Sequence, residues 1–105
     1  MVIAVLRATD DAWSPKAKPL FDQLRRAAIS VEANVVEGYA LGSTAQFKRH
    51  LRIALGSAAE AECLIRCCTE LSYLPASACA ALEQLCGSTM RVLVGLLRKL
   101  MALTR

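Results

Sequence analysis

Apolar positions recur every three or four residues along most of this chain, the period of an amphipathic α-helix. Leu24, Ala28, Val31 and Val35 fall on one face of a segment from about residue 20 to 37. Ile29 and Val36 lie on another side of it, so the pattern predicts a helix contacted from two directions. Leu51, Leu55, Ala58, Ala61, Ile65 and Cys68 line one face of a longer segment, about 43–72. Leu82, Leu85, Thr89, Leu93, Leu96 and Leu100, widened by Cys86, Met90, Leu97 and Met101, stripe a last helix over about 76–102. Residues 2–10 predict a short helix of two or three turns.

The punctuation agrees with four helices. Pro15 and Pro19 separate the first two segments, and Pro suits a first helical turn. Gly38 is placed to end the second helix. Ser43-x-x-Gln46 reads as a capping box opening the third. Leu74-Pro75 turns the chain into the fourth. Gly56 lies inside the third helix among Ser57, Ala58, Ala59 and Ala61, where a glycine costs about 1 kcal/mol against alanine. It therefore predicts a close helix crossing. Short connections make successive helices antiparallel. The expected fold is all-α, a single domain over 1–105: an antiparallel up-and-down four-helix bundle with a shortened first helix.

Composition sharpens this in two ways. The chain has 105 residues, 55% of them hydrophobic and 5% aromatic, which suits a helical bundle. A mean hydropathy of +0.38 is more than one small core absorbs, so self-association is expected. The apolar run Val92–Leu97 is closed by Arg91 and Arg98, short of the roughly 20 residues a membrane span needs. Residues 1–6 are too short for a secretory signal and have no basic region before them, so a cytoplasmic, non-membrane location is expected. Cys63, Cys67, Cys68, Cys79 and Cys86 make an odd set, expected as reduced thiols. No metal site and no cofactor are expected. Cys63 and Cys67 lie one turn apart, but thiolate sites usually take four ligands.

Two groups of polar residues are candidates for function. On the second helix, Arg26, Ser30, Asn34 and Glu37 share one stripe. With Ser57 and Glu60 of the third helix they are read as a structural polar network that sets helix register. Buried polar groups need partners. The second group is cationic. Antiparallel packing gathers Lys48, Arg49, Arg52, Arg98, Lys99 and Arg105 at one bundle end. Arg98, Lys99 and Arg105 suit a helix C-terminus, whereas Lys48 and Arg49 sit early in a helix, where its dipole does not favour cations. That end is the candidate nucleic-acid site of a chain with net charge +4. Phe47 is read as core, so no aromatic platform for unpaired bases is expected. With one histidine, no Ser/His/Asp set, no phosphate loop and no Glu-x-x-His pair, enzyme readings lose their usual motifs.

The stretch Gln23-Leu24-Arg25-Arg26-Ala27-Ala28-Ile29-Ser30-Val31-Glu32-Ala33-Asn34-Val35-Val36-Glu37-Gly38 resembles the QLRRAAxSIxxNIxEG signature of a bacterial four-helix-bundle family, the 23S rRNA-intervening-sequence proteins. Phe47, Leu51 and Ile53-Ala54-Leu55-Gly56-Ser57-Ala58-Ala59-Glu60 resemble its FxxFLxIAxGSxxE segment, and Leu71-Ser72-Tyr73-Leu74 its LGYL turn. The resemblance covers about residues 20–103 in the family's order. It implies an antiparallel four-helix bundle, ring-like homopentamers and no catalysis. Some members are encoded within insertions in 23S ribosomal RNA genes. A similar bundle, the accessory protein of diversity-generating retroelements, binds nucleic acid and a reverse transcriptase. Three departures stand out: a first helix much shorter than the family's four or five turns, His50 where Phe is usual, and Ser72 where Gly is usual. The short first helix, or a start lying upstream, is expected to leave apolar surface on the other helices. Together these readings lead to a non-enzymatic oligomeric scaffold, partnered by itself and by RNA or a nucleic-acid-processing protein. The alternative is a protein-interaction module with no nucleic-acid role.

Overall fold

Local chemistry sets several of the helix boundaries. The computed structural model describes residues 1–103 and contains α1 (Val2–Asp11), α2 (Lys18–Ala40), α3 (Thr44–Glu70) and α4 (Ala76–Leu103). Pro19 lies in the first turn of α2, where its missing N–H costs nothing. Ser43 caps α3, its hydroxyl accepting the Gln46 amide at 3.3 Å. Arg105 lies outside the described residues.

Gly38 does not end α2. The helix runs on to Ala40, and Gly42, at φ +74°, makes the left-handed turn instead. Gly38 is buried inside α2, where a Cβ would fall 2.7 Å from the His50 Cβ and 3.2 Å from the Phe47 ring. Its bare backbone lets α3 come close. Gly56, expected at that crossing, faces open space, with nothing within 4 Å of the position its Cβ would take. The buried small residues of the two helices are Ala27, Ala28, Ala54, Ala58 and Ala61.

α3 stops in a Schellman turn. The Tyr73 amide bonds the Cys68 carbonyl at 2.9 Å and the Ser72 amide bonds the Thr69 carbonyl at 3.1 Å. The residue in the left-handed position is Ser72, at φ 57°, where glycine is the unstrained choice.

The four helices form a square in section. α2 packs on α3, α3 on α4, and α1 on both α2 and α4, while the diagonal pairs α2/α4 and α1/α3 do not touch at the level of their backbones. The result measures 48 × 20 × 16 Å. The core has two parts. One, around Val5, Phe21, Leu24, Ile65, Leu82 and Cys86, is closed by all four helices. The other, around Val31, Leu51, Ala54, Ala58, Leu93 and Leu97, draws its buried residues from α2, α3 and α4 alone. α1 has 10 residues against 23, 27 and 28 in the others, so it covers about 15 Å of the bundle at 1.5 Å per residue.

α4 departs from expectation in one respect. By length and composition it qualifies as a helix able to cross a bilayer, with a mean hydropathy of 1.2 in its most apolar window. Here it serves as a bundle helix, burying Cys79, Leu82, Cys86, Leu93 and Leu97. Only 22% of that window is buried within the chain. Much of the surface of α4 thus has no cover within the chain.

Candidate functional site

The interior polar residues form a chain of hydrogen bonds between α2 and α3. The Ser30 and Ser57 hydroxyls meet at 2.8 Å. Asn34 Nδ2 donates to the Ser30 carbonyl at 2.8 Å and to Ser30 Oγ at 3.1 Å. A carbonyl only accepts, so this bond fixes the orientation of the Asn34 amide. Oδ1 then faces His50 Nδ1 at 2.9 Å, and Nδ1 carries the proton it donates. No buried side-chain N or O is left without a partner among the described residues. Unpaired, each would cost about 1–3 kcal/mol.

Only part of the expected network takes part. Ser30, Asn34 and Ser57 are joined, and His50 is the member that sequence reasoning missed. Arg26 is exposed and donates to Gln23 at 3.3 Å. Glu37 and Glu60 are exposed and enter no ion pair among the described residues. The stripe is real in helical phase, but α3 covers only its inner edge, and Arg26 and Glu37 lie on the outer one. Arg25, the neighbour of Arg26, does the tethering. Its Nη1 donates to Thr9 Oγ1 at 2.9 Å and Asp10 Oδ1 at 2.7 Å, clamping the C-terminal turn of α1 to α2. Thr9 is buried and its hydroxyl also donates to the Val5 carbonyl at 2.8 Å.

The basic end assembles from α3 and α4. Phe47, Leu96 and Leu100 pack on the same core layer as Leu51 and Leu97, so the start of α3 lies alongside the end of α4. This brings Lys48, Arg49 and Arg52 to the same end as Arg98 and Lys99. Lys48 is half-buried and the other four are exposed. Arg49, Arg52, Arg98 and Lys99 have no acidic partner among the described residues. An aromatic group is exposed at this end as well. Tyr39, 77% exposed, stands edge-on to half-buried Phe47 with ring centres 6.2 Å apart.

Beyond the start of α1 the bundle is open. A groove of about 350 Å³ runs between α2 and α4, lined by Met1, Val2, Val31, Glu32, Val35, Ser88, Thr89, Val92, Leu93 and Leu96. It is the slot that α1 fills along the other half of the molecule.

Three of the five thiols, Cys68, Cys79 and Cys86, behave as core residues. Burial, with smaller contributions from Cys79 and Cys67, pushes the Cys68 thiol up to about 11. Burial, followed by the Glu62 carboxylate, also raises Cys86, whose Sγ donates to the Ala58 carbonyl at 3.6 Å. Cys63 is exposed and Cys67 half-buried. No group of three or more His, Cys, Asp or Glu side chains converges on one point among the described residues.

A family model described as 23S rRNA-intervening sequence protein matches residues 1–95. No curated protein matches the chain.

Proposed function

The chain belongs to the 23S rRNA-intervening sequence protein family, and from that premise we propose that it is a non-enzymatic, cytoplasmic scaffold that self-associates and holds RNA at its basic end. The observation that carries this reading is how the polar groups are used. The interior ones, Ser30, Asn34, His50 and Ser57, are spent on fixing α2 against α3. Of the exposed cations without an acidic partner among the described residues, Arg49, Arg52, Arg98 and Lys99 gather at one end, whereas Arg7, Lys16, Arg26 and Arg91 lie elsewhere on the surface. Cations without intramolecular acids suit phosphate, and such contacts position a nucleic acid without reading its sequence. Self-association is supported by the apolar surface of α4 and by the exposure of Ile29, Val36, Val92 and Leu103. The family resemblance makes five copies the expected number.

The test is RNA binding by fluorescence anisotropy with a labelled single-stranded oligonucleotide. Reversal of Lys48, Arg49 and Arg52 to Glu is expected to abolish binding while assembly persists. Unchanged RNA affinity in that variant refutes the site.

A second reading has its own support, the apolar groove beside α1. In it the chain is a protein-interaction module that receives a helix of another protein between α2 and α4, with no nucleic-acid role. Val35→Glu separates the two readings. It fills the groove with charge and leaves the basic end intact, so on the first reading RNA binding persists.

A further inference from the structure

Two surface ridges set apolar residues between charged ones. On the outer face of α2, Ile29, Ala33 and Val36 lie in line, with Ile29 48% and Val36 66% exposed. Glu32 and Glu37 stand on the two sides of this line, and with Val2 these five residues line a shallow depression. Neither carboxylate forms an ion pair among the described residues.

α4 carries a ridge of opposite sign. Half-buried Val94 and exposed Gly95 are framed by Arg91 and Arg98 in an open trough that also includes half-buried Met90. Val94 lies about 200° round the helix from Val92, so this trough is on the flank away from the groove. Arg91 donates to the Ser88 hydroxyl at 3.1 Å, and among the described residues neither Arg91 nor Arg98 has an acidic partner. Nothing lies within 4 Å of where a Cβ on Gly95 would sit. An interior helical glycine costs about 1 kcal/mol against alanine. Within one subunit nothing at Gly95 offsets that cost.

We infer that these ridges are the two halves of a subunit contact, with the α4 ridge of one copy docked on the α2 ridge of the next. The inference rests on the self-association reading above and names its surface. Three features select a second copy of this chain as the occupant. The ridges are opposite in charge, with two carboxylates on one and two guanidinium groups on the other. Both have apolar centres. Their lengths match, since Ile29 to Val36 and Arg91 to Arg98 each cover two helical turns, about 10 Å. Apolar contact supplies the attraction, while the rim charges set orientation and register. Because α2 and α4 occupy diagonal corners of the bundle, a copy that has docked through α4 still offers α2. The contact is therefore heterologous and builds a ring where its rotation closes. Arg98 belongs to this seam, which leaves Arg49, Arg52 and Lys99 for phosphate.

The experiment is native mass spectrometry of four purified proteins, with circular dichroism to verify helicity. They are the unaltered chain, Arg91→Glu with Arg98→Glu, Glu32→Lys with Glu37→Lys, and the fourfold combination. The unaltered chain and the fourfold variant are expected to assemble, and each double variant to fall to monomer. Mixing the two double variants in equal amounts is expected to restore assembly with the two chains alternating. An unaltered chain that assembles, with both double variants assembling equally well, overturns the inference and leaves self-association standing on another surface. An unaltered chain that is monomeric overturns both.

Discussion

Gly38→Ala tests whether the close approach of α2 and α3 is what this glycine provides. In an open helix the substitution gains about 1 kcal/mol. At Gly38 the new methyl lies 2.7 Å from the His50 Cβ and 3.2 Å from the Phe47 ring. Ordinary carbon contacts need nearly 1 Å more, and the nearer obstacle is a Cβ, which cannot swing aside as a side-chain tip does. α3 must back away. Overpacking of this kind costs about 1–3 kcal/mol. Separation also stretches the 2.9 Å bond between His50 and Asn34, and a net hydrogen bond is worth about 1 kcal/mol. The sum is a net loss of about 1–3 kcal/mol, or roughly 5–20 °C in Tm for a domain of this size. Gly56→Ala is the control, since nothing lies within 4 Å of its Cβ position and it is expected to gain about 1 kcal/mol. Urea unfolding at one fixed protein concentration reads both, because assembly makes stability concentration-dependent. If Gly38→Ala stabilises as much as Gly56→Ala, the reasoning is refuted.

Other consequences can be measured on the same footing. Ser72→Gly relieves a left-handed serine and is expected to raise stability by about 0.5 kcal/mol after the added chain entropy of glycine, whereas a loss in urea unfolding contradicts the strain. Arg25→Ala removes the clamp on Thr9 and Asp10; a loss of about 1–2 kcal/mol and faster proteolysis within α1 are expected, mostly from the bond to buried Thr9, since the ion pair with Asp10 is largely exposed. Cys68 titrates near 11 when folded against 9.0 when free, so its thiol is protonated in both states below pH 9. Unfolding then releases a proton between pH 9 and 11, and stability falls across that window by on the order of 2 kcal/mol. Cys68→Ala is expected to flatten that fall in urea midpoints, and an equal fall in both proteins rules Cys68 out as its source.

The helices were legible because their apolar period is long and uninterrupted, and their observed ends lie within about two residues of those expected, except at Gly38. A glycine after a helical run reads as a stop. That Gly38 is instead a packing position depends on His50 and Phe47, which only the folded α3 brings beside it. The polar stripe was legible by its phase but not by its depth. Helical spacing places Arg26, Ser30, Asn34 and Glu37 together, while the position of α3 decides which of them are covered. His50 carried no local signal, because its partner Asn34 lies 16 residues away. Arg25 and Arg26 are adjacent in sequence, and only the position of α1 shows that Arg25 is the clamp. The basic end needed no more than antiparallel helices to be seen. Exposed Tyr39 was missed because the aromatic expectation stopped at Phe47. The open groove followed from the short α1, although its lining by Val31, Val35, Val92 and Leu96 needed the packed bundle.

The most direct test of the scaffold reading is the salt dependence of RNA affinity for the unaltered chain. Fluorescence anisotropy with a single-stranded oligonucleotide is expected to show the logarithm of the binding constant falling linearly with the logarithm of salt concentration. Three phosphates held by Arg49, Arg52 and Lys99 give a slope of about −2 per subunit engaged. No binding at low salt, or an affinity that salt does not change, contradicts the account.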